Sequence, residues 1–233
     1  MALASFPTGY RALVIGASGA IGAAFVQQLG ADAACGAVHG LHRQSSPAID
    51  FEDEASIASA AAAMAALGPF HLIINAAGVL HSAGTMPEKK LGDLHYAQLL
   101  ATFQTNTFGP ALVLRHFSPL LDTQRGVLVM LSAKVGSIGD NRLGGWYSYR
   151  ASKAALNMLV KTAAIELKRS KPAAVLEALH PGTVVSKLSR PVKGDQIGRP
   201  ADSAAAEMLA VINNLTPTDS GRFLSYAGQA LPW

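Results

Sequence analysis

Short apolar runs that alternate with helical patterns restrict the folds open to this chain. The runs are ALVIG after Arg11, FHLIIN at 70–75, GVLVMLS at 126–132 and AAVLEALH at 173–180. Strands that read as nearly unbroken apolar runs are buried on both faces, as parallel strands are when helices cover both sides of a sheet. The sequence therefore predicts an α/β fold with a doubly wound parallel sheet.

The segments between these runs have helical spacing. The predicted helices cover 53–67 with Asp53 as N-cap, 94–121, 146–170, and the stretch from Pro200 to about Leu215. Further apolar stretches lie from about Ala34 to Leu41, immediately before Asp50, and near Arg222 to Tyr226. Residues 191–200, bracketed by two prolines, are the expected mobile loop. Nothing resembles a linker, so we expect one domain over 1–233.

Composition excludes several classes of function. The net charge of +4 is modest, and the basic residues are scattered, which argues against a nucleic-acid partner. Cys35 is the single cysteine, so no intramolecular disulfide can form, and no two of the seven histidines have the i, i+4 spacing of metal ligands on a helix. We therefore expect no metal. No long apolar run and no secretory start are present, so we expect no membrane contact and a cytoplasmic location.

A glycine-rich turn follows the first predicted strand. Gly16, Gly19 and Gly22 stand between that strand and a helical stretch that ends at Gly30. Glycines let the backbone approach a pyrophosphate, and the free N–H groups at the helix start stabilise its charge. The pattern predicts a Rossmann-type dinucleotide site.

The end of the second strand indicates which nicotinamide cofactor is bound. Enzymes that use NAD offer a carboxylate there to the ribose hydroxyls, whereas the 2′-phosphate of NADP needs a cation. His42 and Arg43 occupy this position, and Asp32 falls too early, so no carboxylate is expected in reach. Arg43 can pair with a phosphate through its planar guanidinium, which favours NADP. The alternative is that Arg43 is a solvated loop residue.

A tyrosine and a lysine on the helix predicted at 146–170 indicate acid/base chemistry. Tyr149 and Lys153 are four residues apart and share one face, which would bring an ammonium near a phenol and favour its ionised form. Tyr147 is six residues from Lys153 and points elsewhere.

These motifs, with Asn75-Ala76-Ala77-Gly78, Asn106, Ser132 and Pro181-Gly182, stand in an order that resembles the short-chain dehydrogenase/reductase superfamily over residues 10–228. The segments DNRLGGWYSYRASKAALNM and HPGTV are similar to the C-factor (C-signal) branch, close to the sniffer-type carbonyl reductases.

The resemblance implies the catalytic residues. Tyr149 would be the general acid or base at the substrate oxygen, and Lys153 would lower its pKa and hold the nicotinamide ribose. Ser132 would hydrogen-bond the substrate oxygen, and Asn106 would hold a water that links Lys153 to solvent. The hydride itself belongs to the cofactor.

The resemblance also implies the contacts to NADP(H). The phosphate turn would use Gly16, Ser18, Gly19, Ala20 and Ile21. The ribose and adenine side would be met by His42, Arg43, Asp50, Phe51, Asn75, Ala76, Ala77 and Gly78. The nicotinamide would lie among Tyr149, Lys153, Pro181, Gly182, Val184 and Ser186, whose hydroxyl stands where the family often has threonine.

Departures from the family pattern affect the cofactor turn and the substrate side. Ala20 stands where the middle glycine is usual, and Ile15 where threonine is usual before Gly16. The connection from Ser132 to Tyr149 contains an extra GSIGDNRLGGW, which we expect to wall the substrate pocket through Trp146. Residues 136–147, 186–200 and those after Gly78 would set specificity.

Two functions remain open at this point. One is an NADP-dependent oxidoreductase acting on a small carbonyl or alcohol; the other is a nucleotide-binding signalling protein that does not depend on turnover. The family implies a homodimer or homotetramer, built on the alanine-rich faces of the helices at 94–121 and 146–170. Those faces could equally belong to the core.

Overall fold

The computed structural model describes residues 3–81 and 85–233. Within these ranges the strands form one six-stranded sheet, in which each strand pairs in parallel with its neighbours in the order β2-β1-β3-β4-β5-β6. The strands are β1 Tyr10–Ile15, β2 Cys35–Leu41, β3 Leu72–Asn75, β4 Val127–Leu131, β5 Val175–His180 and β6 Phe223–Ser225. The predicted doubly wound parallel sheet is confirmed.

Both faces of the sheet are covered, which explains the unbroken apolar runs. Ile73 and Leu128 pack with one buried cluster, whereas the adjacent Ile74 and Val129 pack with another on the opposite face. All four are fully buried. Since successive side chains of a strand point to opposite faces, neither face could be polar without placing a polar group in a core.

The helices are α1 Ala20–Gly30, α2 Glu54–Ala65, α3 Tyr96–Phe103, α4 Gly109–Phe117, α5 Tyr147–Ser170, α6 Gly194–Ile197 and α7 Ala201–Asn214. The N-cap predicted for α2 is confirmed, because the Asp53 carboxylate accepts a hydrogen bond from Ala55 N at 2.9 Å.

The helix predicted at 94–121 is divided. A π-helical turn, Gln104–Phe108, joins α3 to α4, and Asn106 lies within it. Pro110 has no N–H to donate to the carbonyl four residues earlier, which is that of Asn106, so the regular α-helical pattern cannot continue through this point. Turns of this kind frequently mark functional sites.

The short apolar stretch before Asp50 lies outside the strands, and its Ile49 is buried in one cluster with residues of α2. One local prediction differs from the structure. Residues 191–200, expected as a loop, include a 3₁₀ turn over Arg190–Val192 and the short α6. Backbone hydrogen bonds such as Gly198 N to the Gly194 carbonyl explain this compact form.

Candidate active site

The turn between β1 and α1 requires glycine for steric reasons. Gly16 has φ +83°, and a Cβ there would lie 2.6 Å from Ala77 N, so β1 and the segment after β3 approach more closely than a side chain allows. A Cβ on Gly22 would overlap the Gly16 carbonyl oxygen. Gly19, the N-cap residue of α1, has no side chain that could cap the helix, so the N–H groups of the first turn are left to meet an external acceptor.

A first cavity of about 350 Å³ opens at the carboxyl ends of β1 and β3, where the strand order reverses. Its lining includes these expected residues: Gly16, Ser18, Gly19, His42, Arg43, Asp50, Phe51, Ala76, Ala77 and Gly78. The structure thus gathers the glycine turn and the end of β2 around one space.

The expectation that no carboxylate is in reach of the β2 end is wrong. Asp50 and Glu52 line the same cavity as Arg43. The turn after Ile49 brings them there, since Asp50 Oδ1 accepts from Glu52 N at 3.1 Å. Asp32 is indeed elsewhere, because its carboxylate binds Leu3 N and the Tyr10 hydroxyl.

A second cavity of about 200 Å³ shares residues 76–78 with the first. Its lining includes these expected residues: Ile21, Ala76, Ala77, Gly78, Ser132, Trp146, Tyr149, Lys153, Pro181, Gly182, Val184 and Ser186. The two cavities adjoin at this shared segment, the first reaching the end of β2 and the second reaching Tyr149.

Two residues expected at the cofactor are not among the residues that line either cavity. Asn75 is 2% exposed; its Oδ1 accepts from Ala77 N at 3.2 Å and its Nδ2 lies 3.5 Å from the Met130 sulfur. It therefore shapes the turn after β3 rather than facing a ligand. Ala20 begins α1 with its side chain exposed.

Asn106 also lies behind the cavities, and its amide group is bound to protein atoms. Asn106 Oδ1 accepts from Val79 N at 2.9 Å, and Nδ2 donates to Val79 O at 2.8 Å and to Ser152 Oγ at 3.1 Å. A Cβ on Gly78 would meet both Asn106 Oδ1 and Lys153 Nζ. The residue thus clamps the segment after β3 against α5, and its water-holding role stays a prediction.

Tyr149 and Lys153 share one face of α5, and burial dominates the electrostatics of both. Burial raises the pKa of the Tyr149 phenol to about 12 and lowers the pKa of the Lys153 ammonium to about 8. Lys153 Nζ donates to the Leu131 carbonyl at 2.9 Å and lies 6.0 Å from the Tyr149 ring centroid. The expected lowering of the phenol pKa by Lys153 is therefore not found in this arrangement.

Ser132 follows β4 and has a partner that sequence reasoning missed. Its Oγ donates to Asn157 Oδ1 at 2.6 Å, and both side chains are 3% exposed. Asn157 Nδ2 is buried and has no hydrogen-bond partner in the part of the chain that the structure describes. Asn157 is one turn beyond Lys153 and two beyond Tyr149, so the i, i+4, i+8 spacing on α5 was the available signal.

The loop after β5 is held by an arginine that the sequence did not single out. Arg199 Nη2 donates to the Pro181 carbonyl at 2.9 Å, and its guanidinium carbon lies 3.7 Å from the Tyr226 ring centroid. His180 lines the second cavity, and burial, with the charges of Lys134 and Arg199, lowers its pKa to about 4. A neutral imidazole thus faces the cavity near pH 7.

The extra segment between Ser132 and Tyr149 reaches α5 through three residues with positive φ: Gly144, Gly145 and Trp146. The Trp146 ring lines the second cavity, where it was expected, and its centroid is 6.2 Å from that of Tyr149 in an edge-on arrangement. Gly139 N donates to the Trp233 carbonyl at 2.9 Å, which fixes the middle of the segment. The residues after Gly78 were also expected to set specificity, and 82–84 among them lie outside the described residues.

Over 3–81 and 85–233, no helix combines the length and apolar character needed to cross a membrane. In the same ranges, no group of three or more His, Cys, Asp or Glu is arranged to hold a metal ion.

Comparison with known proteins agrees with this geometry. The family model described as short chain dehydrogenase matches residues 10–196. The chain is 35% identical to 1-hydroxy-2-glutathionyl-2-methyl-3-butene dehydrogenase of Rhodococcus sp. (strain AD45), over 80% of this chain and 79% of that protein. It is 38% identical to C-signal of Myxococcus xanthus, over 71% of this chain and 94% of that protein, which confirms the predicted resemblance.

A solved structure is similar over almost the full length. NADPH-bound carbonyl reductase from chicken fatty liver superposes with a TM-score of 0.84 at 26% identity, and covers 98% of this chain and 96% of that one.

Proposed function

The chain belongs to the short chain dehydrogenase family, and from this premise we propose that it is an NADP(H)-dependent oxidoreductase that interconverts a small carbonyl compound and its alcohol. The observation that carries the proposal is the second cavity. There Ser132, Tyr149 and Lys153 line one space, which shares residues 76–78 with the cavity of the glycine turn.

The residues present fit a dinucleotide. The missing Cβ of Gly16 leaves the backbone accessible beside Ala77, and the uncapped first turn of α1 offers N–H donors to a pyrophosphate. Arg43, at the end of β2, would meet a 2′-phosphate, and Phe51 with Asp50 would flank the adenine. Pro181 and its neighbours would flank the nicotinamide, whose chemistry is to give or take a hydride.

The protonation states suit Tyr149 as proton donor in reduction. With a pKa near 12, the phenol carries its proton throughout the neutral range. Ser132 would hold the carbonyl oxygen next to the phenol, and proton transfer at that oxygen would accompany hydride addition to the carbon. Lys153, charged below a pKa of about 8, would stabilise the phenolate that forms and hold the ribose hydroxyls.

The carbonyl or alcohol substrate is a small molecule. One relative is named for an alcohol carrying a glutathionyl group, and another solved relative is named a carbonyl reductase. The first name describes a primary alcohol, whose carbonyl counterpart is an aldehyde, and the second describes reduction of a carbonyl group. Trp146 with Val184 gives the second cavity an apolar side for the substrate.

A binding or signalling role without turnover is the second candidate function. The 38% identity to C-signal favours it. The presence of Ser132, Tyr149 and Lys153 in one cavity favours the enzyme, because a protein that only binds a nucleotide has no need of a half-buried phenol on the same helix face as a buried ammonium.

Self-association into a homodimer or homotetramer is part of the proposal. Large apolar side chains are exposed on the two helical segments expected at an interface: Tyr96 and Leu100 on α3, and Met158 and Ile165 on α5. Each would lose contact with water on association.

The test is a panel of small aldehydes and ketones with NADPH, comparing the parent with Tyr149→Phe. We expect the parent to oxidise NADPH and the variant to lose about 10²–10⁴ of kcat, the usual contribution of a general acid, while it still binds NADPH. Tyr147→Phe is the matched control and should retain activity. Equal rates for Tyr149→Phe and the parent would exclude Tyr149 as the proton donor, and nucleotide binding without any turnover would favour the signalling role.

A further inference from the structure

Ser132 has a single hydroxyl proton, and in the structure that proton is bonded to Asn157. The Oγ to Oδ1 distance is 2.6 Å, and both side chains are buried. A hydroxyl donates only one hydrogen bond. While Ser132 donates to Asn157, it can offer only lone pairs to the second cavity and cannot donate to a carbonyl oxygen there.

The nitrogen of the Asn157 amide, unlike its oxygen, makes no hydrogen bond to a described residue. Nδ2 is buried and has no hydrogen-bond partner among residues 3–81 and 85–233, and an unpaired buried donor is costly. A half turn of the carboxamide about Cβ–Cγ exchanges the positions of Oδ1 and Nδ2. Nδ2 would then donate to Ser132 Oγ, and the hydroxyl proton would be free to point into the cavity.

We infer that Asn157 is a positioning residue that sets the direction of the Ser132 hydroxyl proton. With Oδ1 towards Ser132, the serine accepts; with Nδ2 towards Ser132, the serine donates to the substrate oxygen. Carbonyl reduction uses the second arrangement. The inference rests on the proposed function, because it concerns the residue that would hold the substrate oxygen.

The location of Asn157 suits this role. It lies on α5, on the face that also carries Tyr149 and Lys153, so one rigid helix positions the proton donor, the ammonium and the amide. Asn157 is not among the residues that line the second cavity, whereas Ser132 is. Asn157 therefore acts on the substrate oxygen only through Ser132.

The experiment compares Asn157→Asp with Asn157→Ala in NADPH-dependent carbonyl reduction. A carboxylate only accepts, so Asp holds the serine proton away from the substrate, whereas Ala releases it. In Asn157→Asp, kcat should fall about 10²–10³-fold, which is the usual effect of removing one hydrogen-bond donor to an oxyanion. In Asn157→Ala, kcat should fall by a smaller factor. A purely packing role predicts the reverse order, because Asp keeps the volume of Asn and Ala leaves a cavity.

A double-mutant cycle with Ser132→Ala separates this role from other effects of the new charge. If Asn157 acts through Ser132, Asn157→Asp should cost less than about twofold in the Ser132→Ala background, because the two changes then remove one interaction. If the carboxylate instead disturbs Lys153, one turn away, the full loss should persist there. Asn213→Asp, which keeps the acceptor for Ser5 N and touches neither cavity, controls for an added carboxylate.

Thermal unfolding of each variant verifies that it is folded. Greater activity in Asn157→Asp than in Asn157→Ala, or an undiminished loss in the Ser132→Ala background, would overturn the inference while leaving the proposed function intact. A parent enzyme that reduces no carbonyl in the panel would overturn both.

Discussion

Lys153 Nζ lies 6.0 Å from the Tyr149 ring centroid and donates to the Leu131 carbonyl at the end of β4, at 2.9 Å. The ammonium is thus anchored to the sheet by a backbone acceptor, and α5 is tied to β4 at the level of Ser132. Burial favours the neutral form of each group, so it raises the pKa of Tyr149 and lowers the pKa of Lys153.

The first prediction concerns the pH dependence of reduction. The active form needs a protonated Tyr149 and a charged Lys153, with pKa values of about 12 and about 8. As the pH rises, Lys153 loses its charge before Tyr149 loses its proton. The rate constant kcat/KM should therefore be flat below about pH 8 and fall about tenfold per pH unit above it. Initial rates with NADPH between pH 6 and 10 test this. Reduction that accelerates above pH 9 would contradict it.

The second prediction concerns cofactor choice. Arg43 is exposed in the first cavity, where a 2′-phosphate would meet it, but Asp50 and Glu52 line that cavity too. NADPH should bind more tightly than NADH, and Arg43→Glu should reverse the order by replacing attraction with repulsion. Fluorescence titration gives both affinities. Arg169→Glu, on the exposed last turn of α5, is the charge-matched control. Equal affinities for NADPH and NADH, in both the parent and the Arg43 variant, would contradict the role of Arg43 in binding the 2′-phosphate.

The third prediction concerns stability. Glu177 on β5 is fully buried, and burial, with the Asp219 charge, raises its pKa from 4.5 to about 9. Above pH 4.5 the unfolded chain ionises while the folded chain stays protonated. The parent should therefore lose stability relative to Glu177→Gln by about 1.4 kcal/mol per pH unit between these two values.

Urea unfolding at pH 5 and pH 8 measures this difference. Glu177→Gln should gain little at pH 5 and clearly more at pH 8. The exposed Glu166→Gln serves as the control and should show no such trend. A pH-independent difference between parent and Glu177→Gln would mean that Glu177 ionises normally in the fold.

The fourth prediction concerns self-association. Met158 and Ile165 are 66% and 55% exposed and lie seven residues apart on one side of α5. Met158→Glu should shift the protein towards monomer in sedimentation velocity, because a charge would be placed in an apolar contact. Lys168→Glu, exposed near the end of the same helix, should leave the distribution unchanged. A parent that sediments only as monomer would end the proposal.

Local patterns in the sequence were enough to predict the parallel sheet, the glycine turn and the shared face of Tyr149 and Lys153. Each depends on neighbours within a few residues, where strand alternation, helical spacing and the size of glycine dictate the outcome. Local patterns predicted a continuous helix over 94–121, and this prediction was wrong. The π-helical turn at Asn106 depends on Pro110 and also on the hydrogen bonds between Asn106 and the Val79 backbone, which is distant in sequence.

Only the tertiary structure decided which side chains meet across elements. Asn157 Oδ1 accepts from Ser132, Glu52 enters the cavity of Arg43, and Arg199 binds the Pro181 carbonyl. Periodicity indicates the face on which a residue lies, but the opposing atom depends on how two elements pack and how a turn closes. The sequence by itself therefore determined the fold and the reactive pair, whereas packing decided the partners that orient them.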